Sequence, residues 1–235
     1  SIYGAIALVF IRDNPASIGV TADGGDLANT HDRVFEVTSK TLREAKRDPI
    51  FWIYSASLGF QGLIGTALTF HVVSIFNEAG RNSEEAFGYF LPAAIFSVSA
   101  NLIASWLVDR YSLKPFLLTK LTLMTIGCCG LLNLNEPWGF WLLAVGWGCS
   151  GGLWSVISNL VHIRFFGPLN LGAISGLSTS LTVFASAIGP AAFSLSLDVF
   201  GSYSEAIKIS IGIVTCLLIT AVITPQNEPS PRFES

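Results

Sequence analysis

The side chains able to do chemistry in this sequence are few, and most lie inside apolar runs. Gln61, His71, Asn101 and Asn159 are the strongly polar residues within or near those runs. A polar group at depth in hydrocarbon is expensive, so its first reading is functional and its second is one hydrogen bond to a neighbouring helix. His71 could also exchange a proton near neutral pH. His162, beside Arg164, reads as an interfacial residue rather than a ligand. Nothing resembles a nucleophile–base arrangement or a metal-ligand spacing, so enzyme chemistry finds no support and no cofactor or metal is expected. Cys128, Cys129, Cys149 and Cys216 fall in apolar windows and read as small packing residues. Gly146-Trp147-Gly148-Cys149-Ser150-Gly151 formally matches the dinucleotide fingerprint, but it follows no strand, and close helix packing or backbone flexibility is the better account.

The elements that must position these residues are six apolar runs at 50–76, 87–108, 116–134, 138–161, 171–197 and 206–223. Each is near the ~20 residues that cross a hydrocarbon layer of about 30 Å. The chain is 51% hydrophobic and 12% charged, with a mean hydropathy of +0.58, against roughly 25% charged residues in a soluble domain. Only helices or closed barrels satisfy the backbone in lipid, and runs of this length mean helices. The fold class predicted is therefore an all-α, polytopic membrane helix bundle. The formal net charge of −3 says little about partners, and no nucleic-acid partner is expected.

Domain organisation follows from the breaks between runs. Residues 1–11 read as the end of a preceding membrane helix, which with the absence of an initiator Met suggests that the chain begins inside a longer protein. Residues 12–48 read as a linker with a short interfacial helix, because Asn14-Pro15 and Asp23-Gly24-Gly25 are turn signals and Thr41-Leu42-Arg43-Glu44 has capping-box spacing. Asp48-Pro49 should end that helix. The six-helix bundle then occupies 49–224, and a polar tail occupies 225–235.

Positive charge assigns the sides. With the linker inside, Arg12, Arg33, Lys40, Arg43, Lys46, Arg47, Arg110, Lys114, Lys120, Arg164 and Arg232 fall on the inner face, and only Arg81 and Lys208 on the outer. The expectation is an integral membrane protein with linker and C-terminus cytoplasmic. Lys120, about one turn into its run, should snorkel to the inner surface.

Three runs carry polar or small residues at helical spacing: Ser97, Asn101 and Ser105 in the second; Gly148, Gly152, Ser155, Asn159 and His162 in the fourth; Ser175, Thr179, Thr182, Ser186 and Gly189 in the fifth. Gly189-Pro190 invites a kink. The third and sixth runs are almost uniformly apolar and read as lipid-facing. Small-residue stripes commonly serve packing alone, but three together favour a shared polar interior, the geometry of a solute path.

The connection at 104–115 resembles the cytoplasmic signature loop of the major facilitator superfamily, G-x-x-x-D-R/K-x-G-R/K-x-R/K. It reads Ser105, Asp109, Arg110, Ser112, Leu113 and Lys114: the acid and its basic neighbour match, both glycines are serine, and one basic position is leucine. Arg12, Pro15, Gly19, Asp23 and Gly24 look like the linker after the sixth helix of bacterial members. The stretches 165–176, 186–190 and 198–203 resemble the eleventh helix and its flanks, closest to the monocarboxylate-porter and oxalate/formate-antiporter branch. The resemblance implies a C-terminal half, helices seven to twelve, whose partner is a missing N-terminal six-helix half, in a bacterial inner membrane. It implies alternating access for a small organic solute, by symport or antiport. Since this half has no cation at depth, a neutral solute, or a monocarboxylate-like anion held by cations of the missing half, fits. The position and titration range of His71 motivate proton coupling. Gln61, His71, Asn101, Asn159, Thr179, Thr182 and Ser186 would line the pathway. Asp109, Arg110 and Lys114 would form the gating loop, and Gly189 and Pro190 the helix kink. The degenerate loop motivates a competing reading, a non-transporting receptor or sensor on a transporter scaffold.

Overall fold

The computed structural model describes residues 39–226; the expected helix end at 1–11, most of the linker and the tail beyond 226 lie outside the described residues. Within them the chain forms eight helices and no strand: α1 Leu42–Ala45, α2 Pro49–Glu78, α3 Ser83–Gly88, α4 Phe90–Val108, α5 Leu113–Leu132, α6 Pro137–Phe166, α7 Leu171–Phe200 and α8 Ser204–Ile223. Six spans are long and apolar enough to cross a membrane, α3 and α4 together making one of them. All six coincide with the apolar runs, extended at their ends by local chemistry.

The expected capping box starts α1. Thr41 Oγ1 accepts the Glu44 amide, and the Glu44 carboxylate accepts the Thr41 amide at 2.7 Å. That amide bond, then the Thr41 hydroxyl, holds the exposed Glu44 carboxyl below the usual carboxylate range. The cap is therefore intact above that range and is lost as pH falls through the lowered value. Asp48 caps α2 by accepting the Ile50 amide at 2.9 Å, with Pro49 in the first turn, where its missing N–H costs nothing. Gly167 (φ 77°) ends α6, and Gly201 (φ 70°) ends α7, by taking backbone conformations that a side chain disfavours.

Packing is dominated by four pairs: α5 on α6, α2 on α7, α4 on α6 and α5 on α8. In hydrocarbon, apolar side chains gain little from leaving lipid for protein, so close backbone approach supplies much of the association. The glycines on α6 provide it. A Cβ on Gly146 would fall on Gly127 and the Leu123 carbonyl of α5; one on Gly148 would strike the Ala93 carbonyl of α4; one on Gly152 would strike the Ser97 carbonyl of α4. The fingerprint-like glycines thus face two neighbours at once, as the packing reading expected.

The α5 run departs from its expected place. It is half buried, between α6 and α8, whereas the α7 window is only 17% buried, as is that of α3 and α4. Lys120 departs further: its side chain is wholly buried rather than at the surface, with Nζ donating to the Ser57 carbonyl (2.8 Å) and to Ser57 Oγ (2.9 Å) on α2.

The two ends of the bundle are tied by charge. At one end Arg81 reaches the Leu134 and Glu136 carbonyls, and Glu78 takes bonds from Ser202 and the Tyr203 amide. At the other, Lys114 reaches the Val222 and Thr224 carbonyls and Arg164 the Val108 carbonyl. Among the described surface cations, Lys40, Arg43, Lys46, Arg47, Arg110, Lys114 and Arg164 sit toward the second end and Arg81 and Lys208 toward the first.

The glycine account makes a testable difference between sites. Gly146→Ala should destabilise the detergent-solubilised protein by about 1–3 kcal/mol, because the new methyl meets backbone that cannot yield. Gly176→Ala, with open space around it, should leave the thermal unfolding midpoint unchanged or slightly raised. Equal effects at the two positions would remove the close-approach explanation.

Candidate functional site

A cavity of about 490 Å³ opens between α2, α6 and α7. Leu58 forms its α2 wall. Trp154, Ser158, Asn159 and His162 come from α6, near the end bearing the Asp109–Lys114 hairpin. Ser175, Ser178, Thr179 and Thr182 come from α7. Among the described residues no acidic side chain and no Lys or Arg lines it, and His162, 5% exposed, is the one lining side chain that can carry a positive charge.

What the cavity can bind depends on which of its donors are already spent. Ser175 gives its proton to the Leu171 carbonyl, Ser158 to that of Ser155, and Thr182 to that of Ser178, each within its own helix. Trp154 Nε1 is spent on the Leu58 carbonyl at 3.3 Å, tying α6 to α2. Ser178 Oγ accepts from Ser55 Oγ at 2.9 Å, so its own proton remains to give. Asn159 and Thr179, both exposed, make no side-chain hydrogen bond among the described residues. The unspent donors are therefore Asn159, Ser178 and Thr179, beside the imidazole of His162, whose ring is hydrogen-bonded to the Ser158 backbone.

Of the residues expected along a solute path, three line this cavity: Asn159, Thr179 and Thr182. The other four lie at helix contacts outside it. Gln61 Oε1 accepts from Ser150 Oγ at 2.7 Å, joining α2 to α6. Asn101 Nδ2 donates to the Gly152 carbonyl at 3.3 Å, joining α4 to α6. Ser186 gives its hydroxyl to Thr182 in its own helix. His71 lies toward the Arg81 end, with Nε2 3.1 Å from the Pro190 carbonyl and Nδ1 3.2 Å from the Tyr203 hydroxyl, which also bonds Ser74. A carbonyl can only accept, which places a proton on Nε2 and leaves Nδ1 facing a hydroxyl that can either donate or accept.

Ser158, His162 and Ser178 were outside the expected pathway. Ser178 was legible only as the i+3 and i−4 neighbour of Ser175 and Thr182. His162 was set aside because Arg164 suggested water contact, whereas Arg164 points to the hairpin end and His162 turns inward.

At the hairpin, Asp109 is exposed and lies 4.0 Å from Arg164 Nη2 on α6. Arg110, in the turn after α4, sits 4.5 Å from the centre of the Trp106 ring of that helix and so does not reach another helix by that contact. Lys114 crosses to the end of α8. Crossing contacts of this loop thus include those of Asp109 and Lys114, and the Tyr111 carbonyl, which accepts from Arg164 Nη1 at 3.3 Å.

Gly189 and Pro190 act through α2. Pro190 has no N–H, so the Ser186 carbonyl loses its helical partner; Thr66 Oγ1 on α2 lies 2.7 Å from that carbonyl, nearer than to the Gly62 (2.9 Å) and Leu63 (3.1 Å) carbonyls of its own helix, and shares its proton there. Gly189 lets α2 come this near, because a Cβ there would fall on the Leu63 carbonyl. α7 therefore runs for 30 residues through its internal proline.

A family profile described as the Major Facilitator Superfamily matches residues 1–190, more than half of the chain. Among curated proteins, none matches the chain.

The Thr66 contact yields a cycle of substitutions. Thr66→Val should cost about 1 kcal/mol, since a carbonyl is left without a donor inside the bundle. In a Pro190→Ala background, where the restored amide satisfies Ser186, the same change should cost almost nothing. An unchanged cost of Thr66→Val in that background, measured by unfolding in detergent, would refute the proline-compensation argument.

Proposed function

The chain belongs to the major facilitator superfamily of membrane transporters, and from that premise we propose that it moves a small organic anion of the monocarboxylate class through the α2–α6–α7 cavity. The observation that carries this reading is the cavity's lining among the described residues: unspent donors on Asn159, Ser178 and Thr179, an imidazole, and no carboxylate. Such a wall can solvate negative charge, and its described residues hold no carboxylate to pair with a cation. We take the hairpin end, richer in Lys and Arg, to be cytoplasmic, as in the inner membrane of a bacterium. Alternating access then exposes the cavity to each side in turn, with Asp109–Arg164 and Lys114–Thr224 as the contacts that close the hairpin end. Symport or antiport with a proton is part of the proposal, and His71 is its candidate carrier, since its Nδ1 faces a hydroxyl able to reverse its bond.

The test is uptake of radiolabelled short monocarboxylates by proteoliposomes holding the complete protein. Saturable, protein-dependent uptake supports the proposal. Binding without flux would favour a sensor on a transporter scaffold, and neither binding nor flux would sink the anion reading. Asn159→Ala and Thr179→Val should each weaken apparent affinity about tenfold, the scale of one hydrogen bond to a charged group. Ser175→Ala, whose proton is spent on its own helix, should change it far less. For coupling, His71→Gln should flatten the pH profile of uptake; a profile identical to wild type would exclude His71 as the carrier.

A further inference from the structure

Lys120 lies eight residues into the 20-residue α5 and is fully buried. Its amino group touches Ser57 and forms no ion pair among the described residues. The acids on the spanning helices sit near their ends, as Glu78, Asp198 and Glu205 do. On the helices packed against α5, the titratable side chains within the spanning stretches are Tyr54 and His71 on α2, Cys149 and His162 on α6, and Cys216 on α8; Lys120 hydrogen-bonds to none of them. It also lies outside the cavity lining, so it is no ligand of a solute there. An ionisable group at this depth marks an ion or proton pathway more often than a packing contact.

The two acceptors at Ser57 fit both forms of the amine. An ammonium donates to the carbonyl and to the hydroxyl oxygen together. A neutral amine donates to the carbonyl and accepts the hydroxyl proton on its lone pair. The contact can therefore re-form after the protonation state has changed, with the Ser57 hydroxyl pointing the other way. The contact also bears on the cavity. Ser57 precedes Leu58, whose side chain forms the α2 wall and whose carbonyl holds Trp154. Two residues before Ser57, Ser55 bonds the cavity-lining Ser178.

We propose that Lys120 is a proton-binding site that sets the position of the Ser55–Leu58 turn and hence the α2 wall of the cavity. The balance is simple: Nζ takes a proton from water when α2 and α5 part and returns it to water by the same route, with the Ser57 hydroxyl reorienting each time. This site is separate from His71, which lies fourteen residues further along α2, about 21 Å away by helical rise. The inference rests on the transporter reading for its consequence, but proton binding itself can be measured without a substrate.

The experiment is 15N NMR of the complete protein labelled at lysine, in nanodiscs, across about pH 5–10. One side-chain resonance should titrate apart from those of Lys40, Lys46, Lys114 and Lys208, vanish in Lys120→Arg, and move in Ser57→Ala, which keeps the lysine but removes the hydroxyl. Should Lys120→Arg fail to fold, the Ser57→Ala displacement alone decides the assignment. A Lys120 resonance that does not titrate, or is unmoved by Ser57→Ala, overturns the proposal and leaves a static packing amine. Transport gives the second readout: Lys120→Met should shift the pH profile of uptake, whereas a packing role would lower uptake equally at every pH. If wild-type protein shows no uptake at all, the transporter reading fails while the NMR titration still judges the proton site.

Discussion

Inside hydrocarbon no water stands ready to accept or donate a bond, so each polar group on a spanning helix must find its partner in the protein. In this bundle α2 is where those partners meet. Between Ser55 and His71 it bonds Ser178 and the carbonyls of Ser186 and Pro190 on α7, Lys120 on α5, and Trp154 and Ser150 on α6. Three helices are thus located relative to one by directional contacts rather than by apolar burial. The cavity is the consequence. It lies where α6 and α7 are both held to α2 yet share little contact with each other.

The same constraint explains why backbone irregularity and polar side chains occur side by side. Pro190 deprives the Ser186 carbonyl of its donor, which in water would cost little and in lipid costs more. Thr66 answers it from a neighbouring helix, and Gly189 makes the neighbour close enough to answer. Along α6 the arrangement recurs in another form: Gly152 admits α4, and the Gly152 carbonyl then receives the Asn101 amide. Close approach and hydrogen bonding are coupled at both places.

This coupling also marks what could be read from sequence. The spans were legible because twenty apolar residues leave few alternatives, and their starts were legible because Thr41, Glu44, Asp48 and Pro49 act within one turn. Polar periodicity was less informative. It reveals that one face of a helix differs from the rest, but a face of Ser, Gly and Asn suits a wet cavity and a neighbour's backbone equally well. Asn159 and Asn101 occupy like stripes, yet one lines the cavity and the other bonds a carbonyl. Lys120 was misplaced for a related reason. Its depth fits snorkelling, and only the tertiary position of Ser57, 63 residues away in sequence, draws it inward. The α5 run, otherwise apolar but for threonines such as Thr122 and Thr125, carried no local sign that three helices would cover it.

The charged ends follow a different logic from the interior. Arg164, Lys114 and Arg81 all bond backbone carbonyls at the last turns of other helices or in the turns beyond them. Such carbonyls are left over by helix geometry and carry the negative end of the helix dipole, so cations are their natural partners. At the membrane surface each such contact can be exchanged for water on both sides. Breaking one therefore strands no buried polar group, unlike breaking the contacts of Gln61 or Lys120 at depth. The bundle accordingly combines a costly, water-free set of bonds around the middle of α2 with cheaper, exchangeable bonds at its rims. Directional bonds that water cannot replace thus hold the middle of α2, and bonds that water can replace hold the rims.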